Sequence, residues 1–83
     1  MEQLIENKDY VIHEDGTLEI FEGVRYIPAG TFKYLKNITN LVLPSTLILI
    51  GVLAFSECSL LSGTLILPDS VKYVLDGAFS EIG

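Results

Sequence analysis

The chain repeats itself. Slid along its own length by 23 and then 24 residues, it superimposes Leu18, Leu41 and Leu65, and likewise Ile20, Leu43 and Leu67. Val24, Leu47 and Val71 coincide next, followed by Ile27, Ile50 and Val74. A small–Phe pair closes each unit: Thr31-Phe32, Ala54-Phe55 and Ala78-Phe79. A period of 20–29 residues with leucines at fixed places signals a solenoid, in which each turn buries its neighbour's apolar edge. Few other folds are compatible with such a pattern.

Each unit reads as two short extended pieces and a tight turn. The openings Leu18-Glu19-Ile20, Leu41-Val42-Leu43 and Leu65-Ile66-Leu67 alternate with period two, so the outer residues point inward and the middle one outward. Stacked units place these pieces side by side as a parallel sheet. Pro44 and Pro68 end the strand in the second and third units. Val24–Ile27, Leu47–Ile50 and Val71–Val74 form the second extended piece, and the small–Phe segment is expected to make a single helical or 3₁₀ turn. Upstream, Tyr10–His13 and Thr17–Phe21 flank Glu14-Asp15-Gly16, and an Asp-Gly between strand-like runs predicts a hairpin. Tyr10–His13 would then cover the first edge of the stack. No such element follows Phe79, and an open sheet edge recruits another strand.

The units LILPDSVKYVLDGAFSEIG and LVLPSTLILIGVLAFSEC resemble the BspA-like leucine-rich repeat. That pattern runs aliphatic strand, Pro-x-Ser-Val, Ile-Gly, then Ala-Phe-x-x-Cys. The lead-in EDGTLEI is similar too, so the resemblance spans residues 10–83. It implies a mainly β fold with short helical turns: a small leucine-rich-repeat solenoid of about 2.7 repeats with an N-terminal β-hairpin cap. Residues 1–83 are read as one domain, with a tail and capping strand over 1–16 and repeats over 17–83. Members of the family are mostly interaction and adhesion proteins. The resemblance also implies that Cys58, at the cysteine of Ala-Phe-x-x-Cys, is a core thiol.

Composition sharpens the functional expectation. Hydrophobic residues make up 49% of the 83 and charged ones 19%, which is rich for a body with so much surface to cover. Some apolar side chains should therefore stay exposed, and such surface marks an interface. The net charge of −6 lies entirely in residues 1–22; the rest of the chain sums to zero. An acidic end disfavours direct contact with nucleic acid or an anionic membrane. The run Leu41–Phe55, broken by Pro44 and Gly51, is short of the ~20 residues of a membrane span. MEQLIENKDY lacks a basic region followed by an apolar core, so the expected location is the cytoplasm.

Chemistry finds little to work with. One His and one Cys make neither a triad nor a ligand set. No enzyme activity, cofactor or metal is expected. Position-by-position comparison of the repeats is more informative. Where the first and third units carry Arg25 and Lys72, the second carries Ile48; where they carry Tyr26 and Tyr73, it carries Leu49. Val52 stands against Ala29 and Asp76, and Leu53 against Gly30 and Gly77. Ile48, Leu49, Val52 and Leu53, with outward Val42 and Ile66 and with Tyr26 and Tyr73, are the expected partner-binding residues. The expected function is a non-catalytic protein-binding module that also self-associates, as a homodimer. The alternative is a small phage-type inhibitor of a host defence complex, similar to an anti-CRISPR. It would present the acidic surface of Glu14, Asp15, Glu19 and Glu22 to a basic nucleic-acid site.

Overall fold

Six short strands make two three-stranded sheets in a computed structural model that describes residues 3–62 and 65–83. The strands are β1 (Tyr10–Ile12), β2 (Thr17–Ile20), β3 (Tyr26–Ile27), β4 (Asn40–Val42), β5 (Leu49–Ile50) and β6 (Tyr73–Val74). One sheet has the order β1-β2-β4, the other β3-β5-β6. The first begins with an antiparallel pair. β1 and β2 oppose Tyr10 to Ile20 and Ile12 to Leu18. They are joined by a reversal over 13–16, closed by the His13 N–H on the Thr17 carbonyl at 2.8 Å, with Gly16 at φ +91°. Only a residue without a Cβ takes that φ at no steric cost.

Every other pairing is parallel and follows the repeat register. Leu18 pairs with Leu41, Ile27 with Ile50, and Ile50 with Val74. The alternation in β2 sends Leu18 and Ile20 inward and leaves Thr17 and Glu19 half-buried. Val24, Ile27, Leu47, Ile50, Phe32 and Phe55 join Leu18 and Ile20 in the core, with Ile38, Ala54, Cys58, Leu61 and Ala78. The phenylalanines form a ladder. Phe32 stacks on Phe55 at 5.4 Å and Phe55 on Phe79 at 5.2 Å, while the Tyr10 ring meets Phe32 edge-on at 4.9 Å.

Two expectations are corrected. No helix occurs among the described residues; the small–Phe segments are chains of tight turns. Their N–H groups alternate in destination. Those of Ala54, Ser56 and Cys58 close turns onto Gly51, Leu53 and Phe55 of their own repeat. Those of Leu53, Phe55 and Glu57 reach the carbonyls of Asp76, Ala78 and Ser80 in the next repeat, at 3.1, 2.8 and 2.8 Å. Gly30, Phe32 and Tyr34 bond Val52, Ala54 and Ser56 in the same way. A helix would spend all these donors within one repeat, whereas the turn chain shares them with its neighbour. The geometry needs left-handed residues at two equivalent positions: Gly30, Leu53 and Gly77, then Tyr34, Glu57 and Glu81, all with φ between 57° and 68°.

The second correction concerns Leu65-Ile66-Leu67, which is not a strand. A three-residue segment shut by Pro68 gains few ladder bonds. Ordering its backbone costs about 1–2 kcal/mol per residue. Its inward Leu67 and outward Ile66 are consequently both exposed.

Side chains also tie one repeat to the next. The Glu22 carboxylate accepts the Ser45 N–H at 2.7 Å and the Ser45 hydroxyl. Thr46 Oγ1 accepts the Gly23 N–H at 2.9 Å and donates to the Val24 carbonyl at 2.7 Å. Glu22→Ala should cost roughly 1 kcal/mol, the net worth of such bonds at an exposed site. The check is a lower urea midpoint with an unchanged m-value.

Candidate interaction surface

The outer face of the second sheet carries a row of three side chains. Register places Tyr26 against Leu49 and Leu49 against Tyr73. The alternate residues Ile27 and Ile50 point inward, which forces this row outward. Tyr26 and Tyr73 are 43% and 56% exposed, and Leu49 between them is half-buried. The result is an aromatic–aliphatic–aromatic row across the three strands. Tyr26 also borders a groove lined by Leu4, Ile5, Val24 and Arg25. Nothing in the sequence MEQLIENKDY marks Leu4 and Ile5 as packing beside a repeat.

The four apolar residues peculiar to the middle repeat do not share one environment. Val52 is exposed, whereas Ile48, Leu49 and Leu53 are half-buried. Leu53 lies across the next repeat: a Cβ added at Gly77 would fall 2.7 Å from its Cδ2. Much of Leu53 is thus spent on packing within the chain. On the other sheet Val42 is exposed and pairs with Glu19, while Ile66 is 76% exposed beyond the ladder.

The acidic residues are mostly engaged. The Asp15 carboxylate accepts the Thr17 N–H at 2.9 Å, and that bond holds it below the usual carboxylate range. Glu19 Oε1 lies 2.8 Å from His13 Nε2, and Glu22 is held by Ser45. Glu14 is exposed at the β1–β2 reversal. Cys58 is buried at 0%, with Sγ 3.2 Å from the Phe32 carbonyl, and burial pushes its thiol above the ordinary value. A thiol so placed is protonated and shielded, unlike an activated nucleophile. Among the described residues no group of three or more His, Cys, Asp and Glu side chains gathers at metal-binding distance. Among them, too, no helix is long and apolar enough to cross a membrane.

The end of the stack beyond β6 is the other apolar region. Val74 and Leu75 are exposed, although the equivalents of Val74, Ile27 and Ile50, are fully buried. Phe79 is the half-buried last ring of the ladder. Compared with known proteins, residues 14–82 match a family model described as BspA type leucine rich repeat region (6 copies). No curated protein and no solved structure matches.

Proposed function

Because the chain belongs to the BspA-type leucine-rich repeat family, we propose that it is a non-catalytic protein-interaction module. Its body is a short solenoid closed at one end by β1. Its partner-binding strip is the row Tyr26–Leu49–Tyr73, flanked by Ile48 and Val52. The observation that carries this reading is the register: two exposed tyrosines bracket a half-buried leucine on a rigid parallel ladder. Tyrosines supply large amphipathic contact area with few rotors to freeze, which is why they recur at binding hot spots. The module also self-associates. The alternative reading, an inhibitor presenting Glu14, Asp15, Glu19 and Glu22 to a basic nucleic-acid site, draws less support. Three of those carboxylates already accept hydrogen bonds from the chain itself.

The test is affinity capture with the immobilised 83-residue chain, followed by titration of the captured protein against variants. Leu49→Asp and Tyr73→Ala should each weaken binding at least about tenfold, the scale of a truncated hot-spot residue. Charge reversal at Glu14 and Asp15 should leave it unchanged. Equal affinity for Leu49→Asp and the wild type would remove the strip from consideration.

A further inference from the structure

The tyrosine row has a second row beside it, and that row carries charge. Arg25 and Tyr26 are both exposed between the buried Val24 and Ile27. The next two repeats copy the arrangement. The N–H groups of Ile48 and Leu49 both reach the Arg25 carbonyl, at 2.7 and 3.2 Å. Those of Lys72 and Tyr73 both reach the Ile48 carbonyl, at 2.8 and 3.2 Å. Arg25, Ile48 and Lys72 thus run alongside Tyr26, Leu49 and Tyr73. Each flanking repeat contributes a cation and a tyrosine, and the middle repeat contributes two half-buried aliphatic side chains. Neighbouring strands lie about 4.8 Å apart, so the two cations spring from backbone positions about 9–10 Å apart.

The chain leaves these two cations without an internal counter-charge, although it holds 11 Asp and Glu against 5 Lys and Arg. Among the described residues, neither Arg25 nor Lys72 meets a carboxylate within ion-pair distance. Glu22, three residues before Arg25, is committed to Ser45. The other cations are occupied differently. Lys33 lies 4.8 Å from the Tyr34 ring centroid, Lys36 Nζ donates to the Glu57 carbonyl at 3.0 Å, and Lys8 lines the groove beside Tyr26 together with Asp9. We propose that the strip receives an acidic segment of a partner protein. An apolar side chain of that segment lies on Leu49 between the two tyrosine rings. One Asp or Glu of it reaches Arg25, and another reaches Lys72. Opposite charge at both ends of an apolar contact fixes register and rejects wrong partners.

The spacing selects the chemistry. A phosphate site gathers several donors on one group, whereas here a single cation stands at each end of an apolar row. Two separate carboxylates match that arrangement. In a polyproline II segment, residues three apart share a face and lie about 9 Å apart. The complement is therefore two acidic residues three positions apart with an apolar residue between them. Nucleic acid is a poor match, because its binding needs many phosphate contacts and the net charge of −6 repels a polyanion. The strip lies on the face of the strands and not along an edge. Further repeats at either end of the stack would lengthen it and leave it uncovered.

This inference rests on the strip proposed above and adds the charge of its partner. A displayed library of random peptides, about 12 residues long, is selected at low salt on the immobilised full chain. It should enrich sequences with two Asp or Glu around an apolar residue, and their affinity should fall as salt is added. Arg25→Gln with Lys72→Gln should weaken the enriched peptides about five- to tenfold, the scale of two well-formed exposed ion pairs. Arg25→Glu with Lys72→Glu should turn the selection toward Lys and Arg, a reversal that loss of fold does not produce. A selection that enriches nothing, or enriches without an acidic bias, overturns the inference. So does an affinity for the double Gln variant within about twofold of the wild type. In either case, loss of the captured partner protein with Leu49→Asp keeps the strip itself standing. Peptides that bind Leu49→Asp as well as the wild type place the acidic site elsewhere and overturn the inference. Tighter binding of a single-stranded oligonucleotide than of any selected peptide overturns it too.

Discussion

Phe55→Ala is expected to lower the stability of the fold by about 3–5 kcal/mol. Phe55 is fully buried in the middle repeat, with Phe32 stacked on one face and Phe79 on the other. Its removal takes away the transfer free energy of the ring and both stacking partners, and it opens a cavity between two repeats. Burying an aromatic ring and losing it in this way costs about 3–5 kcal/mol. A domain of this size has only about 4–12 kcal/mol in total at the usual stability per residue. Phe55→Leu keeps most of the volume and should cost about 1.5 kcal/mol or less. Urea unfolding followed by far-UV circular dichroism separates the two variants. A loss of only about 1 kcal/mol for Phe55→Ala would mean that the ladder does not hold the repeats together.

Gly51→Ala should be nearly as damaging, for a different reason. Gly51 is buried where the middle repeat passes closest to the first. A Cβ there would lie 2.7 Å from the Ile27 carbonyl oxygen and from the Ala29 nitrogen, and 2.8 Å from the Pro28 carbonyl carbon. These are backbone atoms, so no rotamer change relieves the clash. The repeats must move apart, weakening the 2.8 Å bond from the Gly51 N–H to the Ile27 carbonyl. Overpacking plus the strained bond gives an expected cost of about 3 kcal/mol. Gly30→Ala is the comparison: its φ is +67° and nothing lies within 4 Å of the added methyl group. That change costs only the left-handed conformation, about 1–2 kcal/mol. If both variants melt alike, close backbone approach at Gly51 does not hold the first two repeats together.

The register of the parallel ladders that form could be read from the repeats, though the third unit's opening, expected as a strand, is none. The equivalences of Leu18 with Leu41, and of Ile27 with Ile50 and Val74, are the pairs that the parallel ladders join. This works because a repeat specifies its neighbour's position as well as its own. The turn chains were less legible. A helical turn and a run of tight turns place a small residue and a phenylalanine at the same spacing. The distinguishing feature, a left-handed backbone at Tyr34, Glu57 and Glu81, leaves no mark in side chains that are not glycine. One signal was available: Gly30 and Gly77 recur at one repeat position, and glycines so placed often mark positive φ.

The candidate site divides in a similar way. Comparing repeats singled out Ile48, Leu49, Val52 and Leu53 as unusual, and that follows from sequence alone. How their surface is shared between solvent and the next repeat does not, because it depends on how far each coil is rotated over the last. Leu53 illustrates the point, since its side chain occupies the space that a Cβ on Gly77 would need.

The alternating destinations of the N–H groups carry one more consequence. No backbone bond of this series depends on which repeat it belongs to, because the first and second units offer the same main-chain groups in the same order. Length is thus a free parameter of this architecture. A unit of 23 or 24 residues could be duplicated or deleted in phase, and the remaining junctions would keep these backbone partners. Point substitutions alter a junction, whereas whole-unit changes only alter how many junctions there are. For such a chain, gain and loss of entire coils is the gentlest route by which its binding strip can be lengthened or shortened.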